Sequence, residues 1–112
     1  MGLLDFFKRG DESPSIDLSP VDRALDGAAR AGIDVSAVRD ALIAWSGSGE
    51  DRTGGYSYRA EHDGGLLIAD VTCDAVRLRF WTRKGAPDVE FSYSREPSCA
   101  INYARVHGER II

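Results

Sequence analysis

Groups able to do covalent chemistry are few. The chain holds two histidines, His62 and His107, and two cysteines, Cys73 and Cys99. A thiol is a useful nucleophile only beside a base that takes its proton. None of the four lies in a motif such as HExxH or GxSxG. His62 adjoins Asp63-Gly64, so it is expected at an exposed strand end. His107 precedes Gly108 and is expected at a helix C-terminus, where a cation is favourable. Cys73 and Cys99 are expected as small buried thiols. Asp63, Asp70 and Asp74 offer oxygens to a cation, but not at the spacing of a calcium loop. No catalytic constellation emerges, so the expectation is a chain that is not an enzyme, with no cofactor and no metal.

A second group of residues has chemistry of another kind. Arg59, Leu66, Ile68, Arg77, Arg79, Trp81 and Arg83 fall on alternate positions of successive strand-like segments, which puts them on one face. Arginine and tryptophan are enriched where partners bind, and apolar residues on an exposed face mark interfaces. These seven are the candidate partner-binding residues. The plainer alternatives are a solvated face whose arginine stems pack over Trp81, or a face covered by the N-terminal or C-terminal segment.

The segment AARAGIDVSAVRDAL (28–42) resembles a helix-turn-helix signature, with Ala28, Gly32, Ile33, Ala37, Val38 and Leu42 at its small and apolar positions. That resemblance implies a second helix reading a DNA groove. The charge runs against it. The would-be reading helix offers Arg39 beside Asp34 and Asp40, and no basic arm accompanies it.

These residues need elements to hold them. Ser19 is a natural helix N-cap with Pro20 at the first helical position. Val21, Ala24, Leu25, Ala28 and Ala29 then make one helical face, and Gly32 is a left-handed stop. Asp34 or Ser36 caps a second helix whose stripe is Val38, Ala41, Leu42 and Trp45, ended by Gly47. Residues 46–55, SGSGEDRTGG, read as a loop.

Beyond it the pattern alternates. Asp63-Gly64 is a strong two-residue hairpin signal. It pairs Ala60 with Leu67, Tyr58 with Ala69 and Tyr56 with Val71. A turn at Cys73-Asp74 pairs Val71 with Val76, Ala69 with Leu78 and Leu67 with Phe80. A loop at 85–88 is expected to set Phe80 opposite Tyr93 and Thr82 opposite Phe91. The result is an antiparallel meander of strands 55–62, 65–73, 75–84 and 88–95, with Asp70 opposite Arg77 and Arg83 opposite Glu90. All registers put one alternating set inside, and a one-residue slip would break that agreement. The last segment, 98–107, fits a fifth strand or a helix capped at Ser98; the helix is slightly preferred.

The expected fold class is therefore α+β: an N-terminal helical hairpin packed on a four- or five-stranded antiparallel meander, with a possible C-terminal helix. A chain of 112 residues is one domain, here residues 19–112, preceded at 1–18 by an amphipathic turn, LLDFFKR, and an acidic linker. The turn is expected to dock on the domain. A net charge of −4 argues against a general polyanion-binding surface. Neither a membrane-spanning run nor a signal peptide is legible, which points to the cytoplasm. Arginine outnumbers lysine twelve to two, a bias expected of GC-rich, bacterial coding. The leading expectation is a small non-catalytic protein that binds another protein, as immunity proteins or secretion chaperones do. The alternatives are nucleic-acid binding, through the helical pair or by stacking on the Arg/Trp face, and a small enzyme with an unrecognised site.

Overall fold

The computed structural model describes residues 17–52 and 54–112. The LLDFFKR turn and most of the acidic linker lie outside the described residues. Two helices come first, α1 (Ser19–Arg30) and α2 (Ser36–Ala44). Seven strands follow: β1 (Gly47–Arg52), β2 (Gly55–His62), β3 (Gly65–Thr72), β4 (Ala75–Trp81), β5 (Val89–Ser94), β6 (Ala100–Val106) and β7 (Glu109–Arg110). They form one antiparallel sheet in chain order, β1 to β7.

α1 opens at Ser19, with Asp17 Oδ1 accepting from the Ser19 N–H at 2.9 Å. The side-chain acceptor is thus Asp17, two residues before the Ser19 expected to supply it. At the other end, Gly32 takes φ +95°. Its N–H donates to Ala29 O, and the Ile33 N–H donates to Ala28 O. This pair of bonds satisfies carbonyls the helix leaves open and reverses the chain. Asp34 Oδ1 then accepts from both the N–H and the hydroxyl of Ser36 to start α2. α2 ends at Ala44, and Gly47 begins β1 instead of closing the helix.

The hairpin expectation needs correction. The helices pack mainly on the sheet, α1 across β3 to β6 and α2 on β3, and less on each other. Arg39 of α2 reaches Asp26 and Asp22 of α1 and ties the pair at the surface.

The sheet's inner face meets the helices. Leu67, Ala69, Val76, Leu78 and Phe91 are fully covered there, against Val21, Leu25, Ala28 and Val38. Each large apolar side chain so buried contributes about 1.5–3 kcal/mol. The expected β2–β3 and β3–β4 registers are those observed, Ala60 facing Leu67 and Leu67 facing Phe80 among them. Asp63 (φ 49°) and Gly64 (φ 82°) make the hairpin turn with both residues left-handed.

Four expectations differ. The sheet has seven strands, not four or five. Residues 47–52, expected as loop, pair with β2 as an edge strand. Residues 100–106 are strand β6, not a helix, and His107-Gly108 form a second left-handed hairpin turn into β7. Finally, β4 stops at Trp81 and β5 starts at Val89, so the 75–84 and 88–95 strands are shorter than expected. Phe80 faces Val89, Leu78 faces Phe91 and Val76 faces Tyr93. The pairing is four residues from the expected one. An even slip leaves every side chain on its face, so alternation alone does not exclude it. Asp88 supplies the missing determinant. Its carboxylate accepts from the N–H and hydroxyl of Thr82, and its own N–H donates to Phe80 O at 2.8 Å.

No helix among the described residues is long and apolar enough to cross a membrane.

Candidate functional site

The sheet face turned away from the helices carries Arg59 on β2, Leu66, Ile68 and Asp70 on β3, and Arg77, Arg79 and Trp81 on β4. Backbone register puts Ile68 between Arg59 and Arg79, Leu66 beside Trp81, and Asp70 beside Arg77. Six of the seven expected partner-binding residues therefore share this face. Arg83 does not. It sits exposed in the 82–88 loop, because β4 ends two residues earlier, and Glu90 has Arg79 as its strand neighbour instead.

Leu66, Ile68, Arg79 and Trp81 are half-buried, while Arg59 and Arg77 are exposed. No described helix lies over them. Arginine stems lie along apolar neighbours with the heads outward. The Arg79 guanidinium stands 5.8 Å from the centre of the Trp81 ring. The indole N–H of Trp81 donates to Gly85 O at 2.9 Å, which fixes the ring and fastens the 82–88 loop.

The charges are paired diagonally. Arg79 Nη2 lies 3.3 Å from Asp70 Oδ2, although Arg77 is the residue that faces Asp70 across the strands. Arg77 Nη2 reaches Glu90 at 3.5 Å. Arg59 Nε donates to Glu61 at 3.1 Å. Ser57, only 8% exposed, donates its hydroxyl to Asp70 Oδ1 at 2.8 Å. Asp70 thus holds Ser57 and Arg79 together, and Arg79 Nε is buried with no partner among the described residues.

β1 pairs beside β2, and Ser48, Gly49 and Glu50 line a cavity of ≈ 330 Å³ together with Ser57, Arg59, Ile68, Asp70 and Arg79. Sequence reasoning missed the β1 wall because GSGEDR has no apolar residue to alternate. Its signal is backbone-only: an edge strand that pairs through its amides needs no buried side chain.

The groups considered for covalent chemistry are spread apart. In a meander successive turns fall at alternate ends. Cys73 (β3–β4 turn) and Cys99 (before β6) lie at one end, and His62 and His107 at the other. A seven-residue strand, about 23 Å, separates them. Both cysteines are free and exposed, which corrects the expectation of buried thiols. Cys73 lies in the β3–β4 turn and Cys99 at the end of the loop before β6, neither at a core position. His62 is exposed at the end of β2, as expected, 3.4 Å from Asp63. His107 occupies the β6–β7 turn, not a helix end, and Nδ1 lies 3.9 Å from Asp88. No group of three or more His, Cys, Asp or Glu among the described residues is arranged to hold a metal.

Asp88 is electrostatically the most tightly held group near the face. The Thr82 hydroxyl bond, and after it the Thr82 N–H and His107, keep its carboxyl below the usual range against the opposing effect of burial.

No protein-family model, curated protein or solved structure matches this chain.

Proposed function

We propose that this chain is a non-catalytic protein-binding domain that receives its partner on the sheet face turned away from the helices. The observation that carries the reading is the set Leu66, Ile68 and Trp81 on a face no described helix covers, ringed by Arg59, Arg77 and Arg79. An aromatic anchor with aliphatic neighbours inside a charged rim is the usual composition of an interface centre. The separation of thiols from imidazoles supports a binding role over a hydrolytic one, since neither cysteine has a histidine base in reach. The anchors are held in advance: Trp81 by Gly85, Arg79 by Asp70. Side chains fixed before binding lose less entropy on association.

The alternative is a single-stranded nucleic acid stacked on Trp81. The arginines favour it, but Arg79 already occupies space over the ring, and the acidic residues Asp70, Glu61 and Glu90 repel phosphate. Duplex reading by α2 has less support, because Arg39, its one basic residue, is engaged by Asp22 and Asp26.

The test is a photo-crosslinking amino acid at Leu66 in the cell that makes the protein. A single protein adduct, whose purified form then binds the wild type and loses affinity for Trp81→Ala, supports the reading. Crosslinks to RNA or DNA support the alternative. No adduct at Leu66, with a partner crosslinked from α2 instead, overturns both.

A further inference from the structure

At the opposite side of the sheet from the Arg/Trp face, the N-terminal turn of α1 meets the ends of three strands. Pro20 and Arg23 of α1, Cys73 of the β3–β4 turn, and Tyr93, Arg95 and Cys99 from β5 and its following loop surround a cavity of ≈ 230 Å³. Glu96 lies on its rim. Two free thiols and two guanidiniums therefore open on one space.

The cavity is built by backbone and not by chance exposure. The Arg95 N–H donates to Asp74 O, and Arg95 O accepts from the Cys99 N–H. The Arg95 guanidinium also donates to Thr72 O at 2.7 Å, which ties the β5–β6 loop to the turn holding Cys73. Tyr93 is 4% exposed, and its hydroxyl reaches the cavity beside the Cys99 thiol. Burial first, and then the hydrogen bond with Cys99, hold that phenol above its usual range.

Cys73 and Cys99 are both free and exposed, so each is open to the disulfide of a ligand.

We propose that this cavity is an S-thiolation site, at which Cys99 exchanges with a low-molecular-weight disulfide bearing carboxylates, held by Arg23 and Arg95. The Cys99 thiolate attacks one sulfur of the ligand disulfide. A Cys99–ligand S–S bond forms, the ligand's own S–S bond breaks, and the departing thiolate takes up a proton equivalent to the one Cys99 gave to solvent. The Cys99 sulfur is oxidised and the leaving sulfur reduced, with no other reagent. Tyr93 favours Cys99 for this role, because its hydroxyl lies beside that thiol, while Arg23 and Arg95 line the same cavity to receive the ligand's carboxylates. Cys73, on the far wall, lacks the tyrosine.

The experiment follows intact mass of the full reduced chain with glutathione disulfide, which is anionic, and with cystamine, a cationic disulfide of similar reactivity. One glutathione adduct is expected, mapped to Cys99, forming about tenfold faster or more than the cystamine adduct, the gain that local steering gives. Cys73→Ser keeps this behaviour and Cys99→Ser loses it. Arg23→Glu, on an exposed helix position, reverses the preference toward cystamine while melting as the wild type does. Equal rates for the two disulfides, first modification at Cys73, or an internal Cys73–Cys99 disulfide with loss of two hydrogens would each overturn the proposal.

Discussion

Tyr93 packs its ring on the backbone of Gly27. A Cβ at Gly27 would stand 2.8 Å from Cε1 and 3.0 Å from Cδ1 of that ring. Glycine in mid-helix costs about 1 kcal/mol relative to alanine, and α1 accepts that cost for close approach to β5. Gly27→Ala is accordingly expected to destabilise the domain by about 1–3 kcal/mol, the cost of overpacking exceeding the gain in helix propensity. Denaturant unfolding measures it. A stabilised variant would mean that Tyr93 does not sit on α1.

Leu78 and Arg79 are chain neighbours on opposite faces of β4, Leu78 fully buried and Arg79 half-buried. Leu78→Ala should cost about 2–5 kcal/mol. Arg79→Glu should cost about 1 kcal/mol, through the lost pair with Asp70, while slowing association with an acidic partner. Thermal unfolding of the two variants compares them, and a costlier Arg79 would put the binding face in the core.

Trp81→Ala is expected to leave a folded domain, with about 1–2 kcal/mol lost as the 82–88 loop loses its indole tether. Affinity for the protein partner should fall by about 2 kcal/mol or more. Calorimetry with the crosslinked partner reads the second quantity. Unchanged affinity would remove Trp81 from the interface.

Asp88 sets an acid limb of stability. Its folded carboxyl is held down by Thr82, whereas an unfolded aspartate titrates near about 3.9. The folded state thus binds fewer protons, so this contribution is present above about pH 4 and is lost as pH falls through the lower folded value. Asp88→Asn should lower the melting temperature at neutral pH and flatten its fall on acidification. An identical acid slope in wild type and variant would show that Asp88 is not the group responsible.

Duplex DNA is expected to bind weakly or not at all in fluorescence anisotropy at low salt, since Arg39 is taken up by Asp22 and Asp26. Tight binding that falls steeply with salt would contradict this.

Much of the sheet is legible in the residues themselves. Asp63-Gly64 dictates the β2–β3 turn, and the alternation from Tyr56 to Phe80 admits one odd-even assignment, so Leu66, Ile68 and Trp81 reach a common face as expected. Three features were not legible, each for a physical reason. β1 pairs through its amides and leaves no hydrophobic trace. The β4–β5 register depends on Asp88 capping Thr82, a tertiary bond that alternation does not encode. The residues before β6 offer Pro97-Ser98, which reads as a helix start, yet His107-Gly108 is the same kind of turn signal as Asp63-Gly64 and marks the hairpin that ends β6. The diagonal pairing of Arg79 with Asp70 is a further step removed, because register fixes which residues are near and side-chain reach fixes which of them join.

The chain-order meander also shapes how the molecule comes together in time. Every strand pairs only with its sequence neighbour, so each new ladder closes a short loop and its entropic cost is small. The helices are different. They are synthesised first, yet α1 rests on β5 and β6 near the other end of the chain. The part of its apolar stripe that meets β5 and β6 has no partner until those strands have left the ribosome, so the docking of α1 is expected to be completed last, on the finished sheet. A substitution in the β2–β3 hairpin, formed before that step, should slow folding, while one on the late-docking stripe, such as Val21→Ala, should chiefly speed unfolding.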